Sequence, residues 1–242
     1  RQAVDYQKGQ KCSGLSGWER IMHLEYLTPA AKKLLKIIGP IATERGFILA
    51  GGTAVALRIG HRVSVDFDFF SEHSFGTNSM LRAVNGRGLT SSVLQEEEGT
   101  LTLSAEGVKV SFFHYPYPFI DATSTHSGIH LAGLLDIASM KLIAMAQRGA
   151  KRDYVDLYYI LQDIPFSKVA ENMVGRYGID RVNPAVVGKA LVFFKDADLD
   201  PDPVYLGKPT AWVVIKKYMV NHVRQFVLDI NLVRKEAAGK ID

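Results

Sequence analysis

The chain has 242 residues, 47% of them apolar and 22% charged, the balance of an ordinary soluble globular protein with room for one large domain or two small ones. The single cysteine, Cys12, excludes a disulfide within the chain and favours a reducing, cytoplasmic compartment. No apolar run reaches the roughly 18 to 20 residues that cross a bilayer, so we expect no membrane partner. The net charge of +4 is compatible with nucleic-acid binding but too small to establish it.

The first half of the chain predicts alternating helices and strands. Residues 1–21 lack a secretory signal and are expected to be a tail or an expression remnant. Thr28 is the expected cap of a first helix, with Pro29 in its first turn. The segments that follow are a buried strand "FILAGG", a short helix "TAVALRIG", a strand "SVDFDFF", a hairpin of "TLTLSA" and "VKVSFF" around Glu106-Gly107, and a loop over residues 115–128.

The second half of the chain predicts helices almost throughout. They cover residues 131–149, a segment that begins at 152, residues 166–177, a helix capped by Asn183 and a closing helix over residues 210–237. The order predicts an α+β fold, in which a mixed β-sheet core with flanking helices occupies residues 22–128 and a helical C-terminal domain occupies residues 129–242.

Two acids, Asp66 and Asp68, lie in a strand that otherwise consists mainly of valine and phenylalanine. Residues two apart on a strand point to the same face, so the two carboxylates project together while Phe67 and Phe69 point into a core. Adjacent carboxylates repel, and a divalent cation removes that cost. The pair therefore predicts a site for Mg²⁺ or Mn²⁺ together with phosphate oxygens. The alternative is a strand face with two solvated acids.

The glycine pair Gly51-Gly52 ends the preceding strand and aims backbone N–H groups at whatever lies above the turn, an arrangement that binds phosphate. Thr53 either caps the following helix or touches a phosphate with its hydroxyl. The helix and the His61-Arg62 turn are long enough to bring the next strand back beside the first. The turn and the acid pair would then share one edge of the sheet.

The spacing of these residues resembles a known signature. A small apolar residue, Gly51-Gly52, thirteen residues and then "DFDF" are similar to the signature of the DNA polymerase β-like nucleotidyltransferase superfamily. The stretches "LAGGTAVALRIGHRVSVDFDFF" and "MKLIAMAQRGAKRDYVDLYYIL" resemble the AbiEii/AbiGii abortive-infection toxin family over roughly residues 47–162. The resemblance implies a nucleotidyltransferase fold, a nucleoside triphosphate (NTP) as substrate and Mg²⁺ or Mn²⁺ on the acid pair.

A second group of charged residues lies on two consecutive helices. Lys141 and Asp136 are the only charges in "LLDIASMKLIAMA", so Lys141 must find an anion inside the protein or extend its side chain to the surface. Asp153 and Asp156 are three apart on one helical face, where Asp153 meets the helix dipole and Asp156 is spaced to pair with Arg152.

The family resemblance assigns functional roles to both groups. The implied catalytic residues are Asp66, Asp68, Lys141, Asp153 and Asp156, with Asp66 and Asp68 as the metal ligands. The implied nucleotide-binding residues are Gly51, Gly52, Thr53, Arg62, Lys141, Arg148 and Arg152.

One position departs from the superfamily pattern, which usually supplies a third carboxylate from a later strand. Strand alternation in "VKVSFF" makes Ser111 the equivalent position, and a serine cannot act as a carboxylate base. The general base is therefore left open between Asp153, Asp156 and His61.

We expect a Mg²⁺-dependent enzyme that transfers a nucleoside monophosphate to an acceptor. The resemblance implies that the acceptor is RNA, such as a tRNA end, and that the protein is the toxin of a pair with an antitoxin. Two alternatives stay open: an enzyme that modifies a small molecule such as an antibiotic, and a nucleotide-binding module without activity. On the closing helix Lys217, Arg224 and Lys235 fall near one face, either as an RNA-binding stripe or as an ordinary solvated surface.

Overall fold

The computed structural model describes residues 22–239, which form a seven-stranded mixed sheet flanked by helices. The strands are β1 (Ile48–Ala50), β2 (Phe67–Ser71), β3 (Ser91–Glu97), β4 (Thr100–Ala105), β5 (Val108–His114), β6 (Ser124–His126) and β7 (Ile129–Leu131). The helices are α1 (Pro29–Glu44), α2 (Gly51–Ile59), α3 (Thr77–Asn85), α4 (Leu134–Arg148), α5 (Lys151–Ile160), α6 (Phe166–Tyr177), α7 (Pro184–Val192) and α8 (Trp212–Ala238). A 3₁₀ turn, Leu24–Tyr26, precedes α1.

The sheet has the strand order β3-β4-β5-β2-β1-β7-β6, which places β2 in the middle. β2 runs antiparallel to β1 and parallel to β5. Phe67 and Phe69 on β2 are fully buried, whereas Asp68 and Phe70, which alternate with them, are partly exposed. Phe69 stacks on Phe112 of β5, whose ring also meets Phe47. One sheet face therefore packs into the core, and the other carries the polar side chains.

Local signals in the sequence account for several boundaries. The Thr28 hydroxyl accepts a hydrogen bond from the Ala31 N–H at 3.1 Å, and Asn183 caps α7 in the same manner, so both predicted caps are confirmed. Glu106 and Gly107 both have positive φ, 52° and 76°, as a two-residue hairpin turn requires. Gly60 ends α2 in the left-handed conformation at φ 69°.

Two boundaries differ from the prediction by a few residues. Helix α2 begins at Gly51 rather than Thr53, and β2 begins at Phe67 rather than Ser64. The cause is the end of β1, since the last pair between β1 and β2 joins Ala50 to Asp68. Beyond that pair the chain turns into α2. The residues before Phe67 are therefore outside the sheet.

The predicted loop over residues 115–128 contains a short strand, so that prediction was wrong in part. β6 pairs with β7, and β7 runs parallel to β1, so the sheet extends three residues beyond the domain boundary expected after residue 128. The sequence patterns also miss α3 and β3. Six of the seven residues of β3 are exposed, so the strand shows no alternation and exists because it pairs with β4.

The helices of the second half pack on one another and against α2. α4 contacts α5, α6 and α7, while α8 packs on α6 and α7. α2 touches both α4 and α5, which brings the glycine turn to the helical half. The segment after α7 returns to the first half, where Arg62 and Tyr205 form an antiparallel bridge and the Leu206 N–H donates to the His61 carbonyl at 3.0 Å. Within residues 22–239, no helix is both long and apolar enough to cross a membrane.

Candidate active site

The glycine turn lies at the mouth of a cleft with a volume of about 460 Å³. Gly51 has φ +68°, and a Cβ there would come within 3.0 Å of Asp68 Oδ2. A Cβ on Gly52 would overlap the Arg62 guanidinium. Both glycines are therefore required by close neighbours, and the N–H groups of the first turn of α2 border the cleft.

Thr53 has a structural task in this turn. Its buried hydroxyl contacts the Asp66 carbonyl and lies 2.9 Å from Ser64 Oγ. The N-cap of α2 is Ala50, so Thr53 does not cap the helix, and it is not among the described residues that line the cleft. Thr53 holds the segment that leads into the acid pair.

The acid pair faces the cleft from the central strand. Asp68 lies on β2 and Asp66 directly precedes it, and both line the cleft. Within residues 22–239 neither carboxylate makes a side-chain hydrogen bond or ion pair. Burial, and after it the charge of Asp66, raises the pKa of Asp68.

This arrangement fits a divalent cation. Two adjacent carboxylates without a cationic partner suit Mg²⁺, which commonly takes one or two carboxylates and completes its shell with phosphate oxygens and water. In the part of the chain that the structure describes, no cluster of three His, Cys, Asp or Glu side chains is placed to hold a metal. Asp66 and Asp68 would thus need oxygens from a nucleotide to complete the site.

Asp156 is the centre of a buried ionic cluster behind the cleft. Its side chain is fully buried and accepts a forked pair of hydrogen bonds from Arg62, at 2.6 and 2.8 Å. Lys141 Nζ lies 2.7 Å from Asp156 Oδ2, and His61 Nε2 lies 2.8 Å from Oδ1. Burial alone would raise the pKa of Asp156, but the charges of Lys141 and Arg62 hold it well below its ordinary value.

The predicted pairing of Asp156 with Arg152 is therefore not the one that forms. Arg152 is exposed and lines the cleft instead. Asp156 is not among the described cleft residues, whereas Arg62 and Lys141, which it contacts, are.

Asp153 occupies a different place on the same helix face. One carboxylate oxygen accepts a hydrogen bond from Lys141 at 2.7 Å. The other, Oδ2, is buried without a hydrogen bond, and Arg148 Nε lies 3.5 Å from it. Asp153, Lys141 and Arg148 all line the cleft. Asp153 thus lines one cleft together with five cationic residues, Arg62, Lys109, Lys141, Arg148 and Arg152.

Strand pairing places Ser111 directly beside Asp68. Ser111 is fully buried and accepts a hydrogen bond from Thr102 at 3.3 Å, and it does not line the cleft. The neighbouring strand thus contributes a buried hydroxyl where a third carboxylate was expected. Of the three alternatives for a base, only Asp153 lines the cleft.

Several cleft residues were not identified from the sequence. Lys109 and Phe113 alternate with the buried residues of β5, and Met140 and Gln147 follow a helical stripe on α4. That spacing was the available signal, but it does not reveal which strand and helix face each other. The missed residues are Ser64, Phe70, Lys109, Phe113, His114, Tyr115, Ile137, Met140, Ile143, Ala144 and Gln147.

Comparison with known proteins identifies the same family as the sequence motifs. The model of the nucleotidyl transferase AbiEii toxin family of type IV toxin–antitoxin systems matches residues 34–226. An uncharacterized protein from Aquifex aeolicus is 34% identical over 186 residues, 75% of this chain and 88% of that protein.

Solved structures of low sequence identity share the fold. The nucleotidyltransferase toxin MenT4 from Mycobacterium tuberculosis superposes with a TM-score of 0.56 at 15% identity, covering 86% of this chain and 87% of MenT4. A putative nucleotidyltransferase from Helicobacter pylori gives a TM-score of 0.52 at 15% identity, with 84% and 96% covered. The chain belongs to the AbiEii nucleotidyltransferase toxin family, and it is a nucleotidyltransferase.

Proposed function

We propose that the cleft transfers a nucleoside monophosphate from an NTP to the 3′ end of an RNA, with a divalent metal held by Asp66 and Asp68. One observation carries this proposal. Among the described residues, two carboxylates without a cationic partner, the glycine turn with its N–H groups and the side chains of Lys141, Arg148 and Arg152 line one cleft. Anionic and cationic groups that line one cleft suit a metal–triphosphate complex.

In the proposed reaction one bond forms at the α-phosphorus, one breaks, and cationic groups stabilise the charge that develops. The acceptor hydroxyl oxygen attacks the α-phosphorus, the bond from that phosphorus to the bridging oxygen breaks, and pyrophosphate leaves with the electron pair. A divalent ion, when bound, neutralises phosphate charge. Lys141, Arg148 and Arg152 stabilise the charge that develops on the leaving pyrophosphate.

Asp153 is the proposed acceptor of the hydroxyl proton. Its Oδ2 makes no hydrogen bond and belongs to a residue that lines the cleft. A base must reach the proton directly or through one water, and Asp156 and His61 are occupied with each other behind the cleft. Arg62 and Asp156 then keep their place in the site by holding the glycine turn and Lys141 in position.

The proposal of an RNA acceptor and of an antitoxin partner rests on the family and on the surface of α8. Lys217, Arg224 and Lys235 are exposed along this helix, interspersed with Val220 and Leu228, which are 53% and 52% exposed. A basic stripe favours a polyanion. MenT4 is described as a nucleotidyltransferase toxin, which supports the same class of activity.

The direct test is transfer of label from each α-labelled NTP to total RNA in the presence of Mg²⁺, with Asp68→Asn as the matched inactive variant. We expect labelled RNA with the parent protein and none with the variant. Label on small molecules but not on RNA would contradict the RNA acceptor while leaving the enzyme class intact. Absence of any transfer, with triphosphate binding retained, would contradict the proposed reaction.

A further inference from the structure

The side chains that β2 and β5 place along the cleft change from polar to aromatic in the direction of the strands. Asp68 and Phe70 share the partly exposed face of β2, and strand pairing places Ser111 beside Asp68 and Phe113 beside Phe70. Residues two apart on a strand are separated by roughly 6.5 Å. The pair Asp68 and Ser111 is thus followed, one side-chain spacing away, by the aromatic row of Phe70 and Phe113.

The aromatic row is a stacked pair of rings. The Phe70 and Phe113 rings stack with their centroids 5.2 Å apart, and both side chains are partly exposed and line the cleft. Tyr115 meets the edge of Phe70 at 5.7 Å, and its hydroxyl lies 2.8 Å from the Tyr177 hydroxyl. The contact with Tyr177 therefore holds Tyr115 in place, where it lines the cleft.

Helix α4 adds apolar side chains to the lining of the same cleft. Ile137, Met140 and Ala144 line the cleft at helical spacing, towards the N-terminal part of the lining face, whereas Gln147 and Arg148 are at the other end. The lining thus changes from apolar to polar along α4. A flat apolar group suits a space lined by aromatic rings and aliphatic side chains.

We propose that the nucleobase of the NTP stacks on the aromatic pair Phe113 and Phe70, with the partly exposed Met140 of α4 lining the same cleft. This inference rests on the proposed function, which places the triphosphate at the glycine turn and the acid pair. In a nucleotide the charged phosphate nearest the sugar and the flat base are about one side-chain spacing apart, as are Asp68 and the aromatic row. Phe70, Phe113, Ile137 and Met140 have no hydrogen-bonding side-chain groups, so the stack holds any base by its face.

The test compares an NTP with inorganic tripolyphosphate, which has the phosphates but no base, by calorimetry with Mg²⁺. Phe113→Leu keeps an apolar side chain but removes the ring, so affinity for each of the four NTPs should fall by about tenfold. Affinity for tripolyphosphate should stay the same. Phe113→Tyr restores the ring and should restore NTP affinity.

Phe75→Leu is the matched control, because Phe75 is also partly exposed and packs edge-to-face on Phe47 outside the cleft. It should bind NTP as the parent does. If Phe113→Leu bound NTP normally while Asp68→Asn did not, the stacking proposal would be overturned and the proposed function would stand. A Phe113→Leu variant that changed only the KM for the RNA acceptor would likewise overturn it, by assigning the rings to an acceptor base. A parent protein that bound neither NTP nor tripolyphosphate would remove the proposed function and this inference with it.

Discussion

Asp156 shows how far the sequence could identify a functional residue. The spacing of Asp153 and Asp156 predicts a shared helical face, and the structure places both side chains inside the protein. The sequence could not separate their roles, because these depend on Arg62 and Lys141, which come from other elements. The Asp153 side chain reaches the cleft, and that of Asp156 stays behind it.

This difference gives a prediction for two matched variants. Asp156→Asn leaves the buried Arg62 without its anion and removes one of the two carboxylates that pair with Lys141, so it should lower the free energy of unfolding by about 3 to 5 kcal/mol. Asp153→Asn removes a charge held by one close cation, so it should cost less stability but abolish transfer to RNA. Denaturant unfolding and a transfer assay measure the two effects. Equal losses of stability would contradict the distinction.

The pH dependence follows from the lowered pKa of Asp156 in the folded state. Its contribution to stability is fully present above the unfolded pKa, near 4, and is lost as the pH falls towards the folded pKa. The stability difference between the parent and Asp156→Asn should thus be constant from about pH 8 to pH 5 and shrink below about pH 4. A difference that shrinks on raising the pH would have the wrong sign.

Asp68 should show the opposite relation between stability and function. Its pKa is raised in the folded state, so ionising it opposes folding at neutral pH. Asp68→Asn should raise the Tm at pH 7, and the gain should vanish below about pH 4, where the carboxyl is protonated in both states. Metal-dependent NTP affinity should fall by about 100-fold or more, since even outer partners of metal ligands are worth about 10- to 100-fold. A lower Tm at pH 7 would contradict this account.

At the scale of elements, the β1–α2–β2 unit was predicted almost in full, and the sheet edge was not. Gly51-Gly52 and the alternation around Asp68 are local signals that one segment carries by itself. β3 and β6 have no such signal, because they are held by pairing with β4 and β7. The cleft could not be assembled from sequence, because it requires knowing that residues of α4 line the same cleft as residues of β2 and β5.

Gly46 and Gly51 separate the cost of backbone strain from the cost of a steric contact. Gly46 and Gly51 both have positive φ, +74° and +68°, but a Cβ on Gly46 meets nothing within 4 Å. Gly46→Ala should therefore cost only the backbone strain, about 1 to 2 kcal/mol, and keep activity. Gly51→Ala adds contact with the Asp68 carboxylate and should also lose NTP binding. If both variants bound NTP equally, the close approach at Gly51 would have no functional role.

At the scale of the whole molecule, the basic stripe on α8 and the cleft are separate features. No residue of α8 is among the described residues that line the cleft. The sequence predicted the shared face of Lys217, Arg224 and Lys235, and all three are exposed. Whether they bind RNA stays a prediction that charge reversal can test.

The double variant Lys217→Glu, Arg224→Glu should weaken transfer to RNA without changing NTP affinity. The dependence of RNA binding on salt should become less steep, by about 0.7 for each single-strand phosphate that the protein no longer neutralises. The control is Lys33→Glu with Lys36→Glu, which changes the net charge equally on exposed positions of α1. If the control weakened transfer as much, the effect would come from net charge and not from α8.

The bridge between Arg62 and Tyr205 ties the segment after α7 to the strand half of the chain. Within the helical half, the Lys151 N–H donates to Asp200 of the same segment at 2.9 Å. Neither half can melt alone without stranding Asp156 in a broken cluster, so heating should give one calorimetric transition whose enthalpy equals the van't Hoff value. We therefore expect that two fragments divided at residue 128 would not reassemble into a working enzyme. Proteolysis that unfolded either half would then inactivate the whole enzyme.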